Sequence, residues 1–176
     1  MVKILQKESL VLRQKAEEVP HSEIKTPRIK KILDKMIKAL DEQDDGVAIA
    51  APQIGENLQI FVMSKRVYEM MNKKSLKDKD IRDEVFINPK ITKISKEKEM
   101  VDEGCLSVRW LYGKVNRSKK ATIEAYDREG KKFIMGGSGI IAQIFQHEMD
   151  HLQGILFIDK AVDMEELPPQ KTATKI

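Results

Sequence analysis

The chain has 176 residues, of which 41% are hydrophobic and 34% charged. That is enough for one well-formed core, too little for two comfortable domains, and too apolar for an intrinsically disordered chain. One cysteine excludes an internal disulfide, and no apolar run approaches a membrane span or forms a signal segment at the start, so a cytoplasmic protein with no membrane partner is expected.

The net charge of +4 raises the question of an acidic partner such as RNA. Residues 65–98 hold eleven Lys or Arg against six Asp or Glu, with no aromatic platform or Arg-rich strip among them. A solvated, lysine-rich loop is the better reading of that segment, and no DNA partner is expected.

Thr26-Pro27 opens the clearest helix, a capping hydroxyl followed by proline in the first turn. Ile29, Ile32, Leu33, Met36, Ile37 and Leu40 then recur at helical spacing, and Asp44-Asp45-Gly46 stops the helix near Gln43. Short strands are predicted at VAIAA (47–51) and LQIFVM (58–63). The stretch MSKRVYEMMNKKSLKDKD reads as a loop with one helical turn, before further strands at VFINP (85–89) and KITKIS (90–95). ATIEAYD (121–127) alternates apolar with polar and leads through Asp127-Arg128-Glu129-Gly130 into KKFIM, a hairpin. A second long helix, capped by Ser138, runs to Gly154, and the tail beyond it, with Pro168-Pro169, reads as irregular. Helix, then short antiparallel strands, then helix predicts an α+β fold: small antiparallel sheets packed around a buried C-terminal helix, with an amphipathic helix near the N-terminus.

The second helix carries the chemistry. QHEMDH (146–151) places His147 and His151 one turn apart on the face that also holds Ile140 and Ile144, while Ile141, Phe145, Met149 and Leu152 cover much of the rest. Two histidines and a glutamate inside so apolar a helix would be costly unless a metal ion took both imidazole lone pairs. A catalytic metal needs a third protein ligand. The extended H-E-x-x-H metalloprotease pattern would put histidine at position 157, which is Phe157; a downstream glutamate ligand could be only Glu165 or Glu166; upstream, Glu103-Gly104-Cys105-Leu106-Ser107 holds the single cysteine. A thiolate at Cys105 would complete a Cys-His-His set.

GVAIAAPQIG (46–55), EGCLS (103–107) and QHEMDH (146–151) together resemble the three motifs of the peptide deformylases, and NPKI (88–91) and the DREGK turn are similar to that family too. The resemblance runs from residue 2 to Asp159, which implies one catalytic domain over residues 1–159 followed by the tail, 160–176. It implies removal of the formyl group from the N-terminal formyl-methionine of newly made polypeptides. Cys105, His147 and His151 would hold one divalent ion, ferrous iron in the cell and possible zinc, nickel or cobalt in a purified sample. Glu148 would act as base and then acid, and the Gln53 amide with the Leu106 N–H would stabilise the oxyanion. Gly46, Val47 and Ala48 would flank the substrate backbone, and Val47, Ile140, Ile144 and the ring of His147 are candidates for the methionine pocket. Glu103 and Arg117 would pair behind the metal ligands. Residence in the cytoplasm, or in an organelle with bacterial-type translation, follows from such a substrate, as does transient ribosome proximity, although the tail lacks the basic helix that some members use for docking.

Two departures from the family pattern concern specificity. Position 48 is alanine where a second glycine is usual, and EGCLSV continues into Arg109-Trp110-Leu111-Tyr112 where proline is common. Trp110 reads as a wall of the substrate cleft. His21 reads as a solvated loop residue. The competing readings are a metallopeptidase sharing H-E-x-x-H, a non-catalytic member that binds formylated chains or metal, and, on charge alone, an RNA- or ribosome-binding module.

Overall fold

A computed structural model describes residues 2–71 and 82–168 of the chain. Among the described residues there are three α-helices, α1 (Pro27–Asp41), α2 (Arg66–Met70) and α3 (Ile140–Leu152). The strands are β1 (Ala48–Ala50), β2 (Ile60–Met63), β3 (Glu84–Ile94), β4 (Lys98–Gly104), β5 (Leu111–Ser118), β6 (Lys120–Tyr126), β7 (Lys132–Ser138) and β8 (Val162–Glu166). They form an antiparallel five-stranded sheet of order β1-β2-β3-β6-β7 and a three-stranded one of order β4-β5-β8. The α+β architecture with a buried C-terminal helix is as the sequence pattern indicates.

The apolar run of β2 follows from burial on both faces. Ile60 and Val62 turn toward α1, packing with Ile29, Leu33, Met36 and Leu40, while Phe61 and Met63 turn toward α3, packing with Ile144, Phe145 and Leu152. Phe61 stacks on Phe86 of β3 with ring centroids 4.3 Å apart, and Phe145 of α3 meets Phe86 edge-on. On β1 the residues facing α3 are Ala48 and Ala50, whose small side chains let the helix lie close to the strand. α1 begins as expected: Thr26 accepts a hydrogen bond from the Ile29 N–H at 3.4 Å, and Pro27 occupies the first turn.

Three local expectations change. The strands predicted at 85–89 and 90–95 are one strand, β3, because the register slips between Ile87 and Lys90 and Pro89 sits in the irregularity, where no ladder N–H is required. Asn88 takes a left-handed φ of 50° there, and its side chain grips both backbone groups of Val19 at 2.7 and 2.8 Å. Ser138 does not cap α3: it ends β7, and Gly139, with φ of 56°, turns the chain from strand to helix. The tail is not irregular throughout, since Val162–Glu166 forms β8 on the edge of β5, with Leu111 opposite Glu166 and Tyr112 opposite Glu165. All five of its residues are exposed, so backbone pairing holds it and no apolar periodicity announces it.

Only the first turn of the lysine-rich stretch, α2, is described; residues 72–81 of that predicted loop, and 169–176 of the tail, lie outside the described residues. His21 is exposed, as expected, but not free: it makes a 3.1 Å hydrogen bond to the Gly130 carbonyl and meets Tyr126 edge-on.

Candidate active site

Strand β4 ends at Gly104 and delivers Cys105 beside α3. The Cys105 Sγ lies 3.2 Å from His151 Nε2, and one ligand atom each from Cys105, His147 and His151 lies within 4.8 Å of the other two. The imidazoles cross edge to face with centroids 5.0 Å apart. Burial pushes the thiol pKa up, but the charge and hydrogen bonds of the two histidines outweigh it and bring it down to about 5. A thiolate is therefore the form present at neutral pH, and one sulfur with two nitrogens is the donor set that zinc or another first-row divalent ion accepts. The residues present fit such an ion.

The alternative third ligands are elsewhere. Phe157 is fully buried among Leu12, Val108 and Leu156, its ring lying roughly parallel to that of His147 at 6.3 Å. Glu165 and Glu166 are exposed on β8.

Behind the cluster lies a chain of charged groups, buried at Glu103 and Arg117. His147 Nδ1 is 3.0 Å from Glu103 Oε2, which leaves Nε2 to face the sulfur when Nδ1 carries the proton. Arg117 of β5 grips Glu103 with Nε at 2.7 Å and Nη2 at 3.0 Å, and reaches Asp150 at 2.7 Å with Nη1. Lys160 then meets the other oxygen of Asp150 at 2.7 Å. Burial would raise the Glu103 pKa, but His147 and Arg117 hold it down at about 2, so the carboxylate stays charged and fixes the imidazole's orientation. The expected Glu103–Arg117 pair is present; Asp150 and Lys160 were not anticipated, although Asp150 stands inside the QHEMDH stretch.

Glu148 is buried, and its Oε2 has no hydrogen-bond partner among the described residues. Burial, opposed by the two histidines, pushes its pKa up to about 7, the range in which a carboxylate can both take and return a proton. It opens onto a cleft of about 280 Å³ whose lining includes Gly46, Val47, Ala48, Gln53, Leu106, Trp110, Ile140, Ile144 and His147.

Gln53 sits in the 3-10 turn after β1, where its Oε1 accepts from its own segment's Ala50 N–H at 2.8 Å. That bond aims the amide nitrogen at the cysteine loop, 3.0 Å from Ser107 Oγ and 3.6 Å from Cys105 Sγ. Ser107, fully buried, also donates its N–H to the sulfur at 3.4 Å, a role the sequence did not signal apart from the motif it ends. Gly46 is closely packed: a Cβ there would lie 2.9 Å from Leu40 Cδ1 and 3.1 Å from Gln43 Cβ, so the Leu40 side chain would have to shift. Among the described residues β1 is the terminal strand of its sheet, so one of its edges pairs with no other described strand. Trp110 lines the cleft, with the Arg109 guanidinium 4.7 Å from its ring centroid. Ile140 and Ile144 both line the cleft and pack in the core beneath it.

The family model for polypeptide deformylase matches residues 1–167. The chain belongs to the peptide deformylase family. It is 41% identical to peptide deformylase 2 of Clostridium acetobutylicum over 152 residues, 86% of this chain and 89% of that protein. It is 40% identical to the chloroplastic/mitochondrial peptide deformylase 1A of Arabidopsis thaliana, over 86% of this chain and 58% of that one. Among solved structures, the Plasmodium falciparum peptide deformylase superposes with a TM-score of 0.78 at 36% identity, over 92% of this chain and 87% of that chain. The match includes β8, and membership favours the deformylase reading over the metallopeptidase one. Among the described residues no helix is long and apolar enough to cross a membrane.

Proposed function

We propose that the chain removes the N-formyl group from the formyl-methionine that begins newly made polypeptides, releasing formate. The observation that carries the reading is the convergence of Cys105, His147 and His151 beside an unpartnered, buried Glu148 at the floor of a cleft bordered by a strand edge that pairs with no other described strand, in a chain of this family. A divalent ion held by the three ligands would supply Lewis-acid polarisation of the formyl group and a more acidic water. Ferrous iron is the ion proposed in the cell, with zinc, nickel or cobalt able to replace it in purified protein.

Glu148 takes the proton of the water whose oxygen adds to the formyl carbon, and returns it to the nitrogen as the C–N bond breaks, so that formate and a free amine leave. The Gln53 amide and the Leu106 N–H stabilise the negative charge that gathers on the formyl oxygen. The substrate backbone pairs with the segment Gly46–Ala48 that leads into β1, an interaction that reads no side chains and suits varied sequences after the first residue. The methionine side chain enters between Val47, Ile140, Ile144 and the ring of His147. Newly made chains as substrate place the work near ribosomes, in a bacterial-type cytoplasm or an organelle.

The test is formate release from formyl-Met-Ala-Ser by protein prepared and loaded with iron under anaerobic conditions. Sustained turnover, lost in Glu148→Ala while bound metal is retained, is expected. Metal-loaded protein that binds the peptide without releasing formate would instead identify a non-catalytic family member.

A further inference from the structure

Residues 4–6 touch both of the segments that carry the proposed oxyanion donors. Leu5 donates its backbone N–H to the Gln53 carbonyl at 2.8 Å. Next to it, the Gln6 side chain donates from Nε2 to the Leu106 carbonyl at 3.1 Å and accepts the Arg109 N–H on Oε1 at 3.4 Å. Nε2 also lies 3.4 Å from the Ile4 carbonyl, which folds the amide back over its own segment. The segment is itself anchored: the Val2 N–H bonds Glu42 Oε2 at 3.1 Å, and the Leu5 side chain packs in the apolar cluster that holds Leu12, Val108 and Cys105.

The peptide group between Leu106 and Ser107 gives the Gln6 contact a chemical consequence. Its carbonyl takes the Gln6 hydrogen bond, and its N–H, on the opposite side of the same plane, donates to Cys105 Sγ at 3.4 Å. A donor on the carbonyl oxygen polarises the whole amide, so the N–H becomes a better partner for the thiolate. The adjoining peptide, hinged at the Leu106 Cα, carries the Leu106 N–H, and fixing one plane limits the swing of the other. Gln6 is exposed, and water could take its place at the carbonyl, but a water molecule would not tie Leu106 to Arg109 through one planar amide. Gln6 is not among the described residues that line the cleft, so it reaches the chemistry only through the cysteine loop.

We propose that Gln6 is a positioning residue for the reaction: through the Leu106–Ser107 peptide it holds the cysteine loop so that the Leu106 N–H faces the developing oxyanion and the Ser107 N–H stays on the Cys105 sulfur. The proposal rests on the deformylase reading above and adds to it a support that comes from a distant part of the chain. Gln6 touches no reacting atom.

The test uses Gln6→Ala and Gln6→Glu in the full chain, each loaded with cobalt. Glutamate keeps an acceptor for the Arg109 N–H but has no donor for the Leu106 carbonyl, so it separates the two contacts. Both variants should lower kcat for formyl-Met-Ala-Ser by about fivefold, the worth of one hydrogen bond, with KM within about twofold of wild type. Both should also move the sulfur-to-cobalt charge-transfer band to longer wavelength, because a sulfur that receives a weaker hydrogen bond holds its electrons less tightly. Thermal stability should change little, since the side chain is exposed. A band that stays in place in both variants, with kcat within about twofold of wild type, overturns the proposal. So does a Gln6→Glu protein that matches wild type while Gln6→Ala does not, because the tie to Arg109 would then be the contact that matters. A rise in KM alone overturns it too, since Gln6 would then act on substrate binding. Absence of formate from wild type is a different failure, that of the deformylase reading, and the cobalt band still reports whether Gln6 holds the cysteine loop.

Discussion

Replacing Arg117 by methionine should be among the most damaging single substitutions outside the apolar core. The guanidinium is 5% exposed and makes two bonds to Glu103, whose side chain is 2% exposed, and one to Asp150 at 15%. Methionine fills similar space without the charge. Asp150 would keep Lys160 at 2.7 Å, but Glu103 would remain buried with His147 alone. Stranding one member of a buried ion pair costs about 3–5 kcal/mol. In a chain of this length each kcal/mol moves the melting midpoint by about 2–4 °C, so a fall of roughly 6–20 °C is expected by calorimetry. Arg13→Ala is the control: it removes a 2.5 Å pair to Asp159 with both side chains 39% exposed, and such pairs contribute no more than about 1 kcal/mol. Adding Glu103→Gln to Arg117→Met should recover part of the loss, because no bare carboxylate remains. A midpoint within about 3 °C of wild type for Arg117→Met, worth about 1 kcal/mol or less, would refute the claim that this network is an energetic support of the cluster.

Cys105→Ala should leave two imidazoles and at least a tenfold weaker metal affinity, read by elemental analysis after dialysis, together with loss of the sulfur-to-metal charge-transfer band of a cobalt-substituted sample; full metal retention would remove the thiolate from the ligand set. Gln53→Ala should lower kcat by about 10²–10³ with metal content unchanged, as expected for loss of an oxyanion donor, whereas a rise in KM alone would mark Gln53 as a binding group. Phe86→Ala, which empties a site between the rings of Phe61, Phe133 and Phe145, should cost about 3–5 kcal/mol in denaturant unfolding, and a value below about 1 kcal/mol would show that the aromatic cluster collapses to fill the space.

The helices and the five-stranded sheet were legible because their burial is apolar and periodic. The stripe from Ile29 to Leu40 can only be a helix face, and LQIFVM can only be a strand covered on both sides. The chemistry was legible for a related reason: His147 and His151 are separated by one helical turn, a distance local geometry sets without help from the rest of the fold. The β4–β5 hairpin was not legible, because its inward residues include Glu103 and Arg117, so the pattern that marks a buried face is written there in charge. β8 was missed because an exposed edge strand held by backbone bonds carries no side-chain signature.

What local sequence could specify, then, was each element whose side chains sort themselves by water, and the pair of imidazoles that one helix presents. Bringing the thiol from position 105 to within 3.2 Å of a ring at 151, backing His147 with Glu103, and tying Arg109 to Asp45 across 64 residues required the packed fold. Those contacts join separate elements, and nothing in the spacing of residues along a chain fixes which of two distant polar groups will meet once water has been expelled between them.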